Sequence, residues 1–153
     1  DLGALLNFAE LGIDADIVEA LESRGITSPF PIQEEAIPVA LTGQDVIGQA
    51  KTGTGKTLGF GLPLLQSLGK NPEKGAKALV VVPTRELAIQ VAEDLVLATA
   101  NRPTKVATIV GGLDFAGWFG TWSSLRLEGQ AHYSSLLRSL LCHELVHVGI
   151  SCS

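Results

Sequence analysis

A short loop rich in glycine and threonine constrains the fold of this sequence more than any other feature. The loop lies between a predicted strand and a predicted helix and consists of Ala50, Lys51, Thr52, Gly53, Thr54, Gly55, Lys56 and Thr57. Glycine permits positive φ, so that successive N–H groups can form an anion nest at the start of the helix. Lys56 would then reach the β- and γ-phosphates, and the Thr57 hydroxyl would ligate Mg²⁺. The strict pattern has glycine in place of Ala50, and the alternative is a simple turn with an unrelated lysine. The loop predicts binding of a nucleoside triphosphate but specifies neither base nor reaction.

Helical and strand patterns alternate over the first 112 residues. Asp14 and Thr84 can cap helices, and Pro31 suits a first helical turn. The predicted helices cover 15–24, 32–41, 56–68 and 85–98, and the predicted strands cover 45–50, 78–82 and 105–110. The run from Ala78 to Val82 is wholly apolar, which is typical of a strand buried on both faces of a parallel sheet. The alternation predicts an α/β fold with a parallel sheet and right-handed crossovers.

The charge balance limits the partners that the chain can bind. With 11 basic and 16 acidic residues, the net charge is −5. Binding of nucleic acid through a broad basic surface requires many neutralised phosphates, so this balance is compatible with only a few local phosphate contacts. No apolar run reaches the roughly 18 residues of a membrane span, and no secretory signal is evident, so we expect no membrane partner and a cytoplasmic location. Because the sequence contains no Met and begins at Asp1, we expect it to be a piece of a longer protein.

The composition changes near Gly112. Residues 1–112 contain all the prolines and lysines, whereas residues 113–153 contain both tryptophans, both cysteines and all three histidines. We therefore treat residues 113–153 as a separate tail.

Further motifs flank the phosphate loop and suggest a family. Gly25-Ile-Thr-Ser-Pro-Phe-Pro-Ile-Gln33 precedes it, with Phe8 seventeen positions before Gly25, and Pro83-Thr-Arg-Glu-Leu-Ala88 and Gly111-Gly112 follow it. In this order they resemble the first half of the N-terminal RecA-like domain of DEAD-box ATP-dependent RNA helicases, in which alanine at the position of Ala50 is usual. The resemblance covers about residues 6–112. It implies a Q-motif region over 1–44, a partial RecA-like ATP-binding domain over 45–112, and ATP and Mg²⁺ as cofactors.

The resemblance assigns recognition of the nucleotide base to Gln33 and Phe8. A Gln amide donates and accepts at once, which matches the N6/N7 edge of adenine, and an aromatic ring can stack on the base. The alternatives are a solvated helix residue for Gln33 and an ordinary core aromatic for Phe8.

The resemblance also implies contacts with the RNA backbone, single-stranded or in a short duplex. They would be made by Pro83, Thr84, Arg85, Gly111 and Gly112. Thr84 and the N–H groups after it are natural phosphate ligands. An ion pair between Arg85 and Glu86 and a simple glycine turn are the alternatives.

The family pattern stops after Gly112. The sequence has no Thr-Pro-Gly-Arg segment, no Asp-Glu-Ala-Asp box and no Ser-Ala-Thr segment. Phosphoryl transfer needs one carboxylate that holds Mg²⁺ and another group that orients the attacking water. We therefore expect weak nucleotide binding without turnover or unwinding by this chain, and we hypothesise that residues 113–153 are not helicase sequence.

The tail has its own patterns. His132–Val148 is predicted to form an amphipathic helix with a leucine stripe, so that the tail is mostly helical. His143-Glu-Leu-Val-His147 matches H-E-x-x-H, which can bind zinc on a helix. We prefer a packing or self-association helix to a zinc site, because no third ligand follows at a usual spacing. A non-catalytic dimerisation module is therefore a second hypothesis for this chain, and another P-loop enzyme such as a small kinase is a third.

Overall fold

A computed structural model describes residues 6–70, 75–110 and 146–152, the last of these by backbone alone. The chain divides into two compact units. The described part of the first unit is 6–70 with 94–102, and that of the second is 75–93, 103–110 and 146–152. In these ranges no helix is long and apolar enough to cross a membrane.

The first unit is helical around a small apolar core. Helices α1, Ala15–Glu22, and α2, Pro31–Leu41, precede the phosphate loop, and α3, Lys56–Ser67, begins with the last two residues of the loop. The large apolar side chains that are fully buried in this unit are Phe8, Ile17, Leu21, Ile37, Leu62, Leu65 and Leu95. Gly61 of α3 allows Leu95 to approach, since a Cβ there would lie 2.6 Å from Leu95 Cδ2.

The helix boundaries follow the local signals in the sequence. The α1 helix begins after Asp14, α2 begins at Pro31, and a left-handed Gly43 (φ 81°) follows the end of α2. Helix α4, Arg85–Ala98, begins after Thr84, whose Oγ1 accepts a hydrogen bond from the Leu87 N–H at 3.2 Å. The four predicted helices are thus confirmed to within a few residues.

The second unit contains three strands in the order β1-β3-β2. Their bounds are Gly75–Val82 for β1, Thr104–Ile109 for β2 and Val146–Cys152 for β3. Both β1 and β2 pair antiparallel with β3, in a register that sets Val80 and Thr108 opposite Val148. The strands β1 and β2 therefore run in the same direction, as an α/β alternation predicts, but no two of the described strands pair in parallel.

Two strand predictions were wrong in part. The predicted strand 45–50 is absent, and Ile47 is fully exposed. A strand needs a neighbour to supply its hydrogen bonds, and none of the described strands pairs with this segment. The strand β1 exists, but Leu79 and Val81 are half exposed. An apolar run shows that a strand can be buried on both faces, not that covering layers are present.

The prediction of a helical tail was wrong in the part of the tail that the structure describes. The predicted helix His132–Val148 overlaps β3, so that Val146, His147 and Val148 are extended. The alternation of β-branched residues here suits a strand that finds partners on both edges. Residues 132–145, including His143 and the leucine stripe, lie outside the described residues.

A buried arginine joins the ends of three elements in the first unit. The Arg102 guanidinium is 1% exposed and donates to Asp16 at 2.6 and 3.1 Å and to Asp14 at 2.6 Å. It also donates to the Leu65 carbonyl at 2.9 Å. This cluster ties the start of α1 and the end of α3 to the segment after α4.

We predict that the Arg102 cluster makes stability depend on pH in the acid range. The hydrogen bond from Arg102 lowers the pKa of Asp16 below its ordinary value of 3.8. The stabilisation is therefore complete above that value and is lost as the pH falls through the lower folded-state pKa. Urea unfolding between about pH 5 and pH 2 should show a steeper loss for the wild type than for Asp16→Asn. An identical slope for both would contradict this, and Glu22→Gln, an exposed acid of the same helix, should follow the wild type.

Candidate nucleotide-binding site

The phosphate loop has the backbone that its glycines predict. Gly53 and Gly55 have φ of 79° and 71°, and Gly55 is the residue that precedes the first turn of α3. The Thr54 hydroxyl donates to the Lys51 carbonyl at 2.7 Å, which closes the loop. No acidic residue lies in the first turn of α3. The positive end of the helix dipole is therefore not neutralised locally, which favours an anion there.

Lys56 lies back across this loop. Its Nζ donates to the Ala50 carbonyl at 2.6 Å, and the side chain is exposed. The ammonium group has three donors, so that one bond to the loop leaves two for an incoming anion. Thr57, half-buried as the second residue of α3, places a hydroxyl next to the same end of the helix.

Gln33 connects helix α2 to the phosphate loop. It is 1% exposed, its Nε2 donates to the Gly55 carbonyl at 2.7 Å, and its Oε1 accepts from the Phe30 N–H at 2.9 Å. The alternative of a solvated helix residue is therefore wrong. The amide keeps one N–H and one lone pair for a further partner, so that recognition of adenine remains a prediction with suitable donors and acceptors.

Phe8 and Phe30 have opposite exposures. Phe8 is 1% exposed, in agreement with the core alternative, and its stacking on a base stays a prediction. Phe30 is 50% exposed and touches the loop, since its Cδ2 lies 2.7 Å from the place that a Cβ on Gly55 would take. Sequence reasoning missed Phe30, because its position beside the loop depends on the packing of α2 against the start of α3.

Gly55 should tolerate no side chain. A Cβ would meet Phe30 at 2.7 Å and the buried amide nitrogen of Gln33, and the positive φ disfavours any L-residue. We expect Gly55→Ala to lower the free energy of unfolding by about 3 kcal/mol, the sum of a backbone term and a packing term.

Gly53→Ala is the matched control for that substitution. It has the same kind of φ, 79°, but no atom within 4 Å of its Cβ. It should lose only the backbone term, about 1 kcal/mol. Urea unfolding of both variants measures the difference, and equal losses would show that the contact with α2 is unimportant.

The residues predicted to contact RNA lie in the second unit. Pro83, Thr84 and Arg85 are all exposed at the start of α4. The Thr84 hydroxyl oxygen accepts the hydrogen bond that caps α4. In the described part of the chain, Arg85 forms no ion pair with Glu86. Gly111 and Gly112 lie outside the described residues.

The tail motif does not form a helical zinc site where it is described. His147 belongs to β3, so that the i, i+4 helical spacing with His143 is lost at that end. His143 lies outside the described residues. Within the described ranges, no group of three His, Cys, Asp or Glu side chains is arranged to hold a metal ion.

The sequence matches known helicases over the region that carries the loop. Residues 30–118 match the family model of the DEAD/DEAH box helicases. ATP-dependent RNA helicase CshA from Listeria monocytogenes is 42% identical over 112 residues, which are 73% of this chain and 21% of that protein. The chain thus spans about a fifth of the length of this curated relative.

Solved structures show the same likeness in three dimensions. The RNA helicase Prp28 from Chaetomium thermophilum, bound to ADP, has a TM-score of 0.66 and 37% sequence identity to this chain. The match covers 72% of this chain and 28% of the Prp28 chain. A DEAD box protein from Methanococcus jannaschii has a TM-score of 0.68 and 36% identity over 75% of this chain and 31% of its own. Saccharomyces cerevisiae Dbp5, bound to RNA and ADP BeF3, has a TM-score of 0.63 and 27% identity over 71% of this chain and 28% of its own.

These likenesses settle the class of protein. The chain belongs to the DEAD/DEAH box helicase family, and its fold is part of a RecA-like α/β helicase domain. The resemblance and the α/β class predicted from the sequence are confirmed.

Proposed function

We propose that this chain is the nucleotide-binding N-terminal part of an ATP-dependent RNA helicase, and that it binds ATP with Mg²⁺ and contacts the RNA backbone. One observation carries the proposal: the buried amide of Gln33 donates to Gly55 at the end of the phosphate loop. A group suited to the edge of adenine is thereby held beside a loop suited to phosphates. Two structural relatives, Prp28 bound to ADP and Dbp5 bound to RNA and ADP BeF3, support the same choice of nucleotide.

Different residues of the loop would contact different parts of the Mg²⁺·triphosphate. Lys56 supplies positive charge to the β- and γ-phosphates, and the N–H groups at the start of α3 supply hydrogen bonds. Thr57 would hold Mg²⁺ together with phosphate oxygens, and the ion supplies charge neutralisation there. The remaining N–H and lone pair of Gln33 select adenine over guanine, because their order matches N7 and N6 of adenine.

RNA would be contacted at the start of α4. Arg85 is exposed and without an acidic partner among the described residues, and it lies at the positive end of a 14-residue helix. Such an end favours a backbone phosphate without reading sequence. The net charge of −5 is consistent with a contact of this small size.

By itself this chain would bind without hydrolysing. The sequence has no Asp-Glu-Ala-Asp box or Ser-Ala-Thr segment, and phosphoryl transfer requires the carboxylates that the former supplies in the family. The alternative function, a dimerisation module built on a tail helix, is not favoured, since β3 takes the last residues of that helix.

Calorimetric titration of residues 1–153 with Mg²⁺·ADP and Mg²⁺·GDP tests the base preference. We expect the wild type to bind ADP more tightly, and Gln33→Glu to reduce the preference because a carboxylate cannot donate to N7. Gln66→Glu is the matched control, since Gln66 also bonds the backbone on both sides of its amide, at Asp14 and Gly12. Equal affinity of the wild type for ADP and GDP would contradict adenine recognition.

A phosphate-release assay with and without single-stranded RNA tests the absence of turnover. We expect no release above background in either condition. Hydrolysis of ATP that increases when RNA is added would overturn the statement that this chain only binds.

A further inference from the structure

We propose that Ser28, in the segment between α1 and α2, is a site of phosphorylation by a protein kinase that recognises serine followed by proline. The phosphate pairs with the guanidinium of Arg24 and stabilises the start of α2. The proposal does not depend on nucleotide binding by this chain, since it concerns a hydroxyl group on the surface of the first unit.

Most hydroxyl groups of the first unit are already engaged in hydrogen bonds. In its described part, five of them donate to main-chain carbonyls at 2.7–3.0 Å: Ser23, Thr42, Thr54, Ser67 and Thr99. Thr27 and Ser28 are exposed, and their hydroxyl groups form no hydrogen bond with the described residues. Outside the phosphate loop, these two are therefore the hydroxyl groups of the unit that are available to an enzyme.

Pro29 distinguishes Ser28 from Thr27. The sequence has seven prolines, and Pro29 is the only one that follows a serine or threonine. Proline disfavours the helical conformation at the residue before it, and residues 26–30 belong to no helix or strand. The main-chain N–H groups of Thr27 and Ser28 have no acceptor among the described residues. Such a segment is free to form main-chain hydrogen bonds along the cleft of another protein.

Arg24 offers a partner for the phosphate. It is exposed, lies four residues before Ser28 and forms no ion pair with any residue that the structure describes. Four residues span at most about 14 Å, and the left-handed Gly25 (φ 76°) turns the chain between the two side chains. A guanidinium group donates two parallel hydrogen bonds to a phosphate, so that an unpaired arginine at this distance favours the modified serine.

The start of α2 also favours a negative charge. Phe30, which precedes the helix, has no capping side chain, and Pro31 has no N–H. The N–H of Ile32 forms no hydrogen bond within the described ranges. A phosphoserine carries a charge of about −2 at pH 7, and Ser28 lies two residues before Phe30. The phosphate therefore lies close to the positive end of the helix dipole, which it stabilises.

The reaction is a phosphoryl transfer from ATP that the kinase holds. The Ser28 oxygen attacks the γ-phosphorus, and the bond from that phosphorus to the bridging oxygen of ADP breaks as the new bond forms. The hydroxyl proton passes to a carboxylate of the kinase, and ADP leaves. This chain supplies only the nucleophile and the segment that presents it.

The first test is incubation of residues 1–153 with a proline-directed protein kinase and Mg²⁺·ATP, followed by mass spectrometry. We expect one phosphate per chain, located on Ser28, and none in Ser28→Ala. Thr27→Ala removes the neighbouring free hydroxyl group and Ser67→Ala removes a bonded one, and both should be phosphorylated as the wild type is. Location of the phosphate on Thr27, or no phosphate with a kinase that modifies a control peptide, would overturn the proposal.

The second test measures hydrogen exchange of the amides of α2 in the phosphorylated and unmodified chains. We expect phosphorylation to slow exchange in the first half of α2 about fivefold. Arg24→Met should remove most of this effect, whereas Arg85→Met, at an exposed arginine of the second unit, should leave it intact. Exchange that phosphorylation leaves unchanged, or that slows equally in Arg24→Met, would refute the pairing that the proposal requires.

Discussion

Replacing Lys56 with alanine should remove most of the affinity of this chain for Mg²⁺·ADP and Mg²⁺·ATP. The substitution deletes the ammonium group that lies across the phosphate loop and also its 2.6 Å bond to the Ala50 carbonyl. Hydrogen bonds to a charged group contribute about 1.5–3 kcal/mol each, so that two such contacts correspond to a loss of at least about a hundredfold.

The neighbouring lysine provides a control for this loss. Lys51 is exposed in the same loop, and Lys51→Ala changes the net charge equally. Titration calorimetry should show an effect of at most about threefold for Lys51→Ala, within the range of an exposed charge. Affinity of Lys56→Ala within threefold of the wild type would refute a phosphate site at this loop.

Replacing Arg102 with methionine should cause a large loss of stability. The buried guanidinium satisfies Asp14, Asp16 and the Leu65 carbonyl together, and removal of one partner of a buried ion pair costs about 3–5 kcal/mol. Both carboxylates keep some contact with water, at 34% and 21% exposure. We therefore expect the lower end of that range, about 3 kcal/mol.

Urea unfolding at neutral pH measures this loss. Arg102→Lys should recover only part of it, since an ammonium group lacks the planar fork that meets both aspartates. Arg24→Met, at an exposed arginine of the same unit, should change the free energy of unfolding by less than about 0.5 kcal/mol. A loss below about 1 kcal/mol for Arg102→Met would mean that the cluster does not hold the unit together.

Local signals in the sequence predicted most of the helical structure. Asp14, Pro31 and Thr84 mark helix starts, and Gly43 marks an end, because capping and φ preferences act within a few residues. The phosphate loop was predicted for the same reason, since Gly53 and Gly55 carry the positive φ that their type allows.

Contacts between distant residues were not predictable in this way. The burial of Gln33 and the position of Phe30 both depend on the packing of α2 against Gly55. No short sequence pattern encodes this contact. The predicted strand 45–50 and the predicted tail helix failed for a related reason, whereas the strands predicted at 78–82 and 105–110 are present as β1 and β2. Residues 45–50 have the composition of a strand but no described partner, whereas residues 146–148 continued a helical stripe and nevertheless joined β3.

The position of β3 between β1 and β2 affects how the second unit is made by the ribosome. Both outer strands leave the exit tunnel well before residues 146–152, and each then presents an edge without a partner. Their sheet forms only after the last of the three strands has been translated, so that the slow, non-local step of folding follows the synthesis of residues 146–152.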